Sequence, residues 1–213
     1  MPEIETSLLK VRAKEIIREN LKVCILALAI IPIILELVPS LLENFEVFNE
    51  QSITLITIVF TLVSYIFAPS ISKLALSLVN NKPATKEEFL DGFKVIGKAI
   101  GLGIVMGLII LIGTLIFIIP GIIASYTLYY SFYILAEDHT KTIGECLSES
   151  RELTKGYKFQ LFILELSFIG WNILVIITFG IAGLWVTPYV TLTEALFYEE
   201  LKKVKYNPEV III

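Results

Sequence analysis

The chain has 213 residues, 56% hydrophobic and 18% charged, with a formal net charge of −4 and a mean hydropathy of +0.81. A soluble domain of this size carries more charge and fewer long apolar runs; here runs of membrane-spanning length recur along the chain. The modest negative charge speaks against nucleic acid as a partner. Two cysteines, Cys24 in an apolar run and Cys146 in a polar loop, give no disulfide framework.

In chain order, residues 4–20 place Leu9, Ala13, Ile16 and Ile17 on one helical face and most of the charge on the other, which predicts an amphipathic helix on the membrane surface. A first span covers 21–42, bent near Pro32 or Pro39. An acidic loop, 43–52, leads to a second span over 53–79. Residues 80–98 are polar and then amphipathic, with Phe89, Leu90, Phe93 and Ile96 on one side. A third span, 99–119, ends in a predicted turn at Ile119-Pro120-Gly121, and a shorter fourth span follows over 121–136. Residues 139–158 are polar, and Thr142 with Glu145 forms a capping-box pattern that opens a short helix. The fifth and sixth spans fold at Phe179-Gly180-Ile181-Ala182-Gly183, before a Lys-rich tail. The expected fold is therefore an all-α membrane protein, a six-transmembrane helical bundle with amphipathic cytoplasmic surface helices.

Of the 17 Lys and Arg residues, all but one fall in 10–22, in 82–98, in 141–158 or in the tail; the exception is Lys73. The loops at 43–52, 119–121 and 179–183 hold none. The positive-inside rule then makes this a multi-pass protein of six spans with both termini cytoplasmic. The chain is read as one membrane domain, 1–213. Helix-plus-hairpin units at 4–80, 81–138 and 139–203 are either a threefold repeat or the plain consequence of up-down topology.

Ionisable groups inside spans need an account, because each is costly there. Lys73, Glu165 and Glu194 fall at similar depth in the cytoplasmic half. They form a candidate intramembrane polar cluster, with Lys73 expected to pair with at least one glutamate. The alternative is structural: a snorkelling lysine and locally bonded carboxyls. Glu36 is placed near the outer surface. Tyr126, Tyr129, Tyr130 and Tyr133, at i, i+3, i+4 and i+7, form a candidate aromatic face, read as interhelical packing in preference to a ligand path. Gly97/Gly101 and Gly103/Gly107 are small-x-x-x-small pairs that permit close helix approach. Asn172, mid-span, needs a partner. His139 is the only histidine, and with no zinc cluster, phosphate loop or nucleophile beside a base, the sequence implies neither an enzyme nor a cofactor.

Several short blocks resemble the bacterial and archaeal membrane family catalogued as domain of unknown function 975. They are Ile119-Pro120-Gly121, Glu149-Ser150, Lys155-Gly156-Tyr157, Leu161-Phe162, Leu166-Ser167-Phe168-Ile169-Gly170-Trp171, Pro188-Tyr189 and Phe197-Tyr198. The resemblance covers about residues 90–200 and implies a polytopic cytoplasmic-membrane protein without an assigned reaction. Two functional readings follow. The first is a non-catalytic module that binds membrane lipids, a protein partner or a second copy of itself through its cytoplasmic helices. The other is a small transporter or channel with a polar path near Lys73, Glu165 and Glu194.

Overall fold

The computed structural model describes residues 4–42 and 49–206. Most of the acidic loop expected at 43–52 lies outside the described residues. Among the described residues there are eight helices: α1 (Thr6–Glu19), α2 (Leu21–Leu42), α3 (Glu50–Val79), α4 (Lys86–Ile116), α5 (Ile118–Glu137), α6 (Ile143–Thr154), α7 (Lys158–Ile177) and α8 (Gly183–Tyr206). No strand occurs among the described residues. Five of the eight, α2, α3, α4, α5 and α7, are long and apolar enough to cross a membrane. The predicted sixth span, α8, is helical but carries Glu194, Glu199, Glu200 and three lysines from its midpoint onward.

Local chemistry sets the helix ends. Asn49 starts α3 by accepting the Ser52 N–H at 2.8 Å. Thr85 starts α4 by accepting the Glu88 N–H at 3.2 Å, the same capping chemistry. The expected capping box opens α6. There the Thr142 N–H donates to Glu145 Oε2 at 2.7 Å and the Glu145 N–H to Thr142 Oγ1 at 3.3 Å. Bonding to the Thr142 backbone, and then to its hydroxyl, holds the Glu145 carboxyl below the usual range. In α2 the helix widens to a π-type stretch over Cys24–Ala29. Pro32 follows directly, and its missing N–H leaves the Leu28 carbonyl without its usual partner. The predicted bend near Pro32 is thus taken up as a local change of helix pitch.

The molecule divides into two zones. At one end lies a packed core: Leu9, Ala13, Ile16 and Ile17 of α1, residues 74–79 of α3, Ile134 and Leu135 of α5, Leu153 of α6 and residues 195–198 of α8 are all buried. Toward the other end the helices present apolar side chains outward, among them Leu108, Ile112, Leu115, Ile173 and Ile176. That surface suits lipid rather than water.

Two expectations need correction. The α4–α5 turn falls at Phe117, whose backbone is extended (φ −159°, ψ 152°), and not at 119–121. Pro120 instead lies in the first turn of α5, where an N–H has no intrahelical partner to lose. The apolar faces of α1 and α6 are covered by protein, α1 packing on α8 and α6 on α5 and α8. A surface helix keeps its apolar stripe for lipid only while no other helix offers a better-packed cover. In the 80–98 segment, Phe89 and Phe93 pack on Phe67 of α3 with ring centroids 6.2 and 5.2 Å away, while Leu90 stays exposed.

Candidate functional site

The site is assembled around a break in α5. Ser150 and Thr154 of α6 reach into its backbone ladder. Ser150 Oγ accepts the Tyr130 N–H at 3.2 Å and donates to the Thr127 carbonyl at 3.0 Å; Thr154 Oγ1 donates to the same carbonyl at 3.3 Å. Hydroxyls inserted in this way interrupt a helix, and α5 is interrupted at Tyr129–Tyr130. The break splits the tyrosine row. Tyr130 and Tyr133 turn into the core against Tyr198, with centroids 5.2 and 5.4 Å from its ring. Tyr126 and Tyr129, stacked at 6.4 Å, face a cavity.

That cavity, 440 Å³, lies between α5, α7 and α8. Its polar lining is Tyr126, Tyr129, Glu165, Asn172 and Glu194. The Tyr126 hydroxyl donates to Glu165 Oε2 at 2.6 Å. The Tyr130 hydroxyl donates to the Glu194 backbone carbonyl at 3.4 Å, and both carboxyls line the cavity. Phe162, Leu166 and Ile169 form the α7 rim and belong to the exposed apolar surface, so the cavity opens sideways onto it. Phe168 also lines it, and the Lys10 ammonium sits 4.9 Å from that ring and 2.5 Å from Ser167 Oγ. Burial, and then the neighbouring Lys14, pull the Lys10 ammonium below its usual pKa.

Two further cavities adjoin. One of 270 Å³ shares Tyr129 and Glu194 with the first and is also lined by Glu36, Ser64, Ser72 and Thr191. One of 370 Å³ shares Asn172 and Val190 with the first and Glu36 and Thr191 with the second. Together they follow one stripe of α8, Thr187, Thr191 and Glu194, whose i, i+4, i+7 spacing puts them on one face.

The structure therefore brings together Glu165 and Glu194, with two of the four tyrosines, and leaves Lys73 elsewhere. Among the described residues no ion pair joins Lys73 to either glutamate; the carboxylate toward its end of α3 is Asp91, which pairs with Lys94 at 2.6 Å. The cause is the tight approach of α4 to α3, where a Cβ on Gly92 would overlap Ser70. This contact fixes Asp91 beside the Lys73 end of α3. Glu36, placed by sequence at the outer surface, lines two of the cavities. Thr187 and Thr191 were not singled out; their helical spacing to Glu194 was the available signal. Among the described residues no three His, Cys, Asp or Glu side chains gather to hold a metal ion.

An all-α chain with five long apolar helices belongs to the class of multi-pass membrane proteins. More narrowly, it belongs to the family described as protein of unknown function, DUF975, which matches residues 97–205, just over half the chain. Tyr126, Tyr129, Glu165, Asn172 and Glu194 all lie within the match; Glu36 and Lys73 lie outside it. No curated protein and no solved structure matches the chain.

Proposed function

We propose that this protein is a non-catalytic module of the cytoplasmic membrane that takes a lipid-like amphiphile into the cleft between α5, α7 and α8. Six helices enter the membrane and both termini are cytoplasmic, as the Lys and Arg distribution requires. The observation that carries the reading is the sideways opening of the 440 Å³ cavity, polar at Glu165, Glu194 and Asn172 and apolar at Phe162, Leu166 and Ile169. Its size suits a small ligand. An amphiphile arriving from the bilayer would leave its chain on the apolar rim and its polar head on the carboxyls and tyrosine hydroxyls. In this reading the carboxyls bind and no bond is made or broken. The partner is membrane lipid.

A second reading, a small transporter or channel, is favoured by one observation. The three cavities share walls along the Thr187–Thr191–Glu194 stripe, so polar groups continue from Glu194 toward Glu36.

Native mass spectrometry of the protein released from lipid nanodiscs separates these readings. Wild-type protein should retain lipid adducts. The Glu165→Gln/Glu194→Gln variant, with its melting temperature checked, should lose at least half of them. Equal retention would overturn the binding reading. Proton or cation flux in proteoliposomes that Glu194→Gln abolishes would establish the second.

A further inference from the structure

The hairpin formed by α7 and α8 is too short to behave like the others. Positions 166–193, between Glu165 and Glu194, carry no charge, and they must serve both arms and the turn. Divided equally they give about 21 Å of uncharged helix per arm, against a hydrocarbon thickness of about 30 Å; α7 reaches spanning length only by counting its first turns, from Lys158 to Glu165. In the α4–α5 hairpin the uncharged stretch runs over 99–136, between Lys98 and Glu137. That is enough for about 28 Å per arm.

Contacts between helices give the same measure. Asn80 Nδ2 donates to Glu199 Oε1 at 2.9 Å, so the end of α3 and that part of α8 are level. From Asn80 back to Glu50, α3 runs about 45 Å. From Glu199 back to Gly183, α8 runs only about 24 Å. The turn itself touches α2 well before its end. A Cβ on Gly183 would meet Ile33 at 3.1 Å, and one on Gly180 would meet Leu37 at 3.9 Å. Leu42 lies about 8 Å beyond Leu37 along the helix. The turn therefore stops about 8 Å short of the far end of α2 and about 20 Å short of that of α3.

The turn is also built for a medium without water. Phe179 (φ 51°) and Gly180 (φ 88°) take left-handed conformations, and these fold the backbone onto itself. The N–H of Phe179 donates to Ile176 O at 3.1 Å, that of Gly180 to Val175 O at 2.8 Å and that of Ile181 to Thr178 O at 3.1 Å. The Ala182 N–H donates to Thr178 Oγ1 at 3.0 Å. Those of Gly183, Leu184 and Trp185 donate to the carbonyls of Gly180, Ile181 and Ala182 at 2.9 to 3.2 Å. No N–H from 179 to 185 needs water, which meets, for the donors, the condition hydrocarbon imposes on a backbone. Outside this shell stand Phe179, 92% exposed, Ile176, 76%, and Ile181, 73%. In water such a tip is a liability; in acyl chains it is at home.

We propose that the α7–α8 hairpin is re-entrant: it enters the bilayer, turns inside the hydrocarbon of the far leaflet, and returns without emerging. Its tip, 178–183, is a lipid-contact surface whose partner is the acyl chains.

The test is thiol accessibility in intact cells on a Cys24→Ser/Cys146→Ser background. Burial pushes the Cys146 thiol up to about 11, so its removal takes away no reactive group. Asn49→Cys should react with an impermeant maleimide from outside, and Lys155→Cys only after the membrane is permeabilised. Phe179→Cys and Ile181→Cys should react in neither condition but should react fully once the protein is denatured in SDS. Both side chains are exposed in the protein itself, so protection can come only from lipid. Nitroxides at the same two positions should collide with oxygen in preference to a water-soluble nickel chelate. Labelling of either position from outside within threefold of the Asn49→Cys rate would overturn the proposal, as would a preference for the chelate.

Discussion

Tyr126 and Glu165 form the most informative pair in the molecule. Each is a weak signal alone, a tyrosine in an apolar helix and a carboxyl in another. Joined at 2.6 Å beside a cavity, they account for each other's presence in an apolar zone, because a buried polar group without a partner is costly. Tyr126→Phe and Glu165→Gln should therefore be non-additive. A double-mutant cycle in detergent should return a coupling of about 1–2 kcal/mol. Additive losses would mean that the bond contributes nothing. The cycle in which Lys73→Met replaces Tyr126→Phe should return a coupling near zero, since among the described residues no ion pair joins Lys73 to Glu165. That Glu165 and Glu194 come level was legible from their equal spacing about the turn. Their lack of a lysine partner was not, because helix rotation about its axis leaves no mark in a sequence.

At the scale of the helices, the glycines of α4 show what a pattern conveys and what it omits. Gly97/Gly101 and Gly103/Gly107 have the right spacing for close approach, yet a Cβ at Gly97 would meet nothing within 4 Å. The tight contacts are Gly92 on Ser70, Gly103 on the Tyr65 ring and, against the tip of a side chain, Gly101 on Ile143. Gly92→Ala should destabilise by about 1–3 kcal/mol, since Ser70 backbone atoms occupy the space. Gly97→Ala should stabilise by about 0.5–1 kcal/mol through the unfolded chain and helix propensity. Thermal unfolding of the two variants in one detergent gives the comparison; the same sign for both would contradict the packing described. Periodicity and capping chemistry made five of the six expected spans and the start of α6 readable; the sixth, α8, is helical but too charged along its length to count with them. The break in α5 was hidden because Ser150 and Thr154, which cause it, belong to the next helix in the chain.

For the whole molecule, the decisive contact joins the two ends of the chain. Ile16 and Ile17 of α1 are fully covered, and α1 packs on α8. Lys10 and Lys14 lie over Phe168 and Tyr189 at 4.9 and 5.3 Å, and Arg12 reaches Asn81 at 2.7 Å. Ile17→Ala should then cost about 2–5 kcal/mol in unfolding experiments. A helix resting only on lipid would lose about 0.5 kcal/mol or less.

The same contact has a consequence for how the protein is made. When α1 leaves the ribosome its cover does not yet exist, because α8 follows it only after the six helices between them. For most of synthesis the stripe of Leu9, Ala13, Ile16 and Ile17 has only the bilayer surface to rest on, and its sequence is well suited to that. The handover from lipid to α8 can occur only after α8 is threaded into place. It closes the assembly like a clasp, so an insertion intermediate cut before residue 183 should hold α1 in the headgroup region, where it can be cross-linked to lipid.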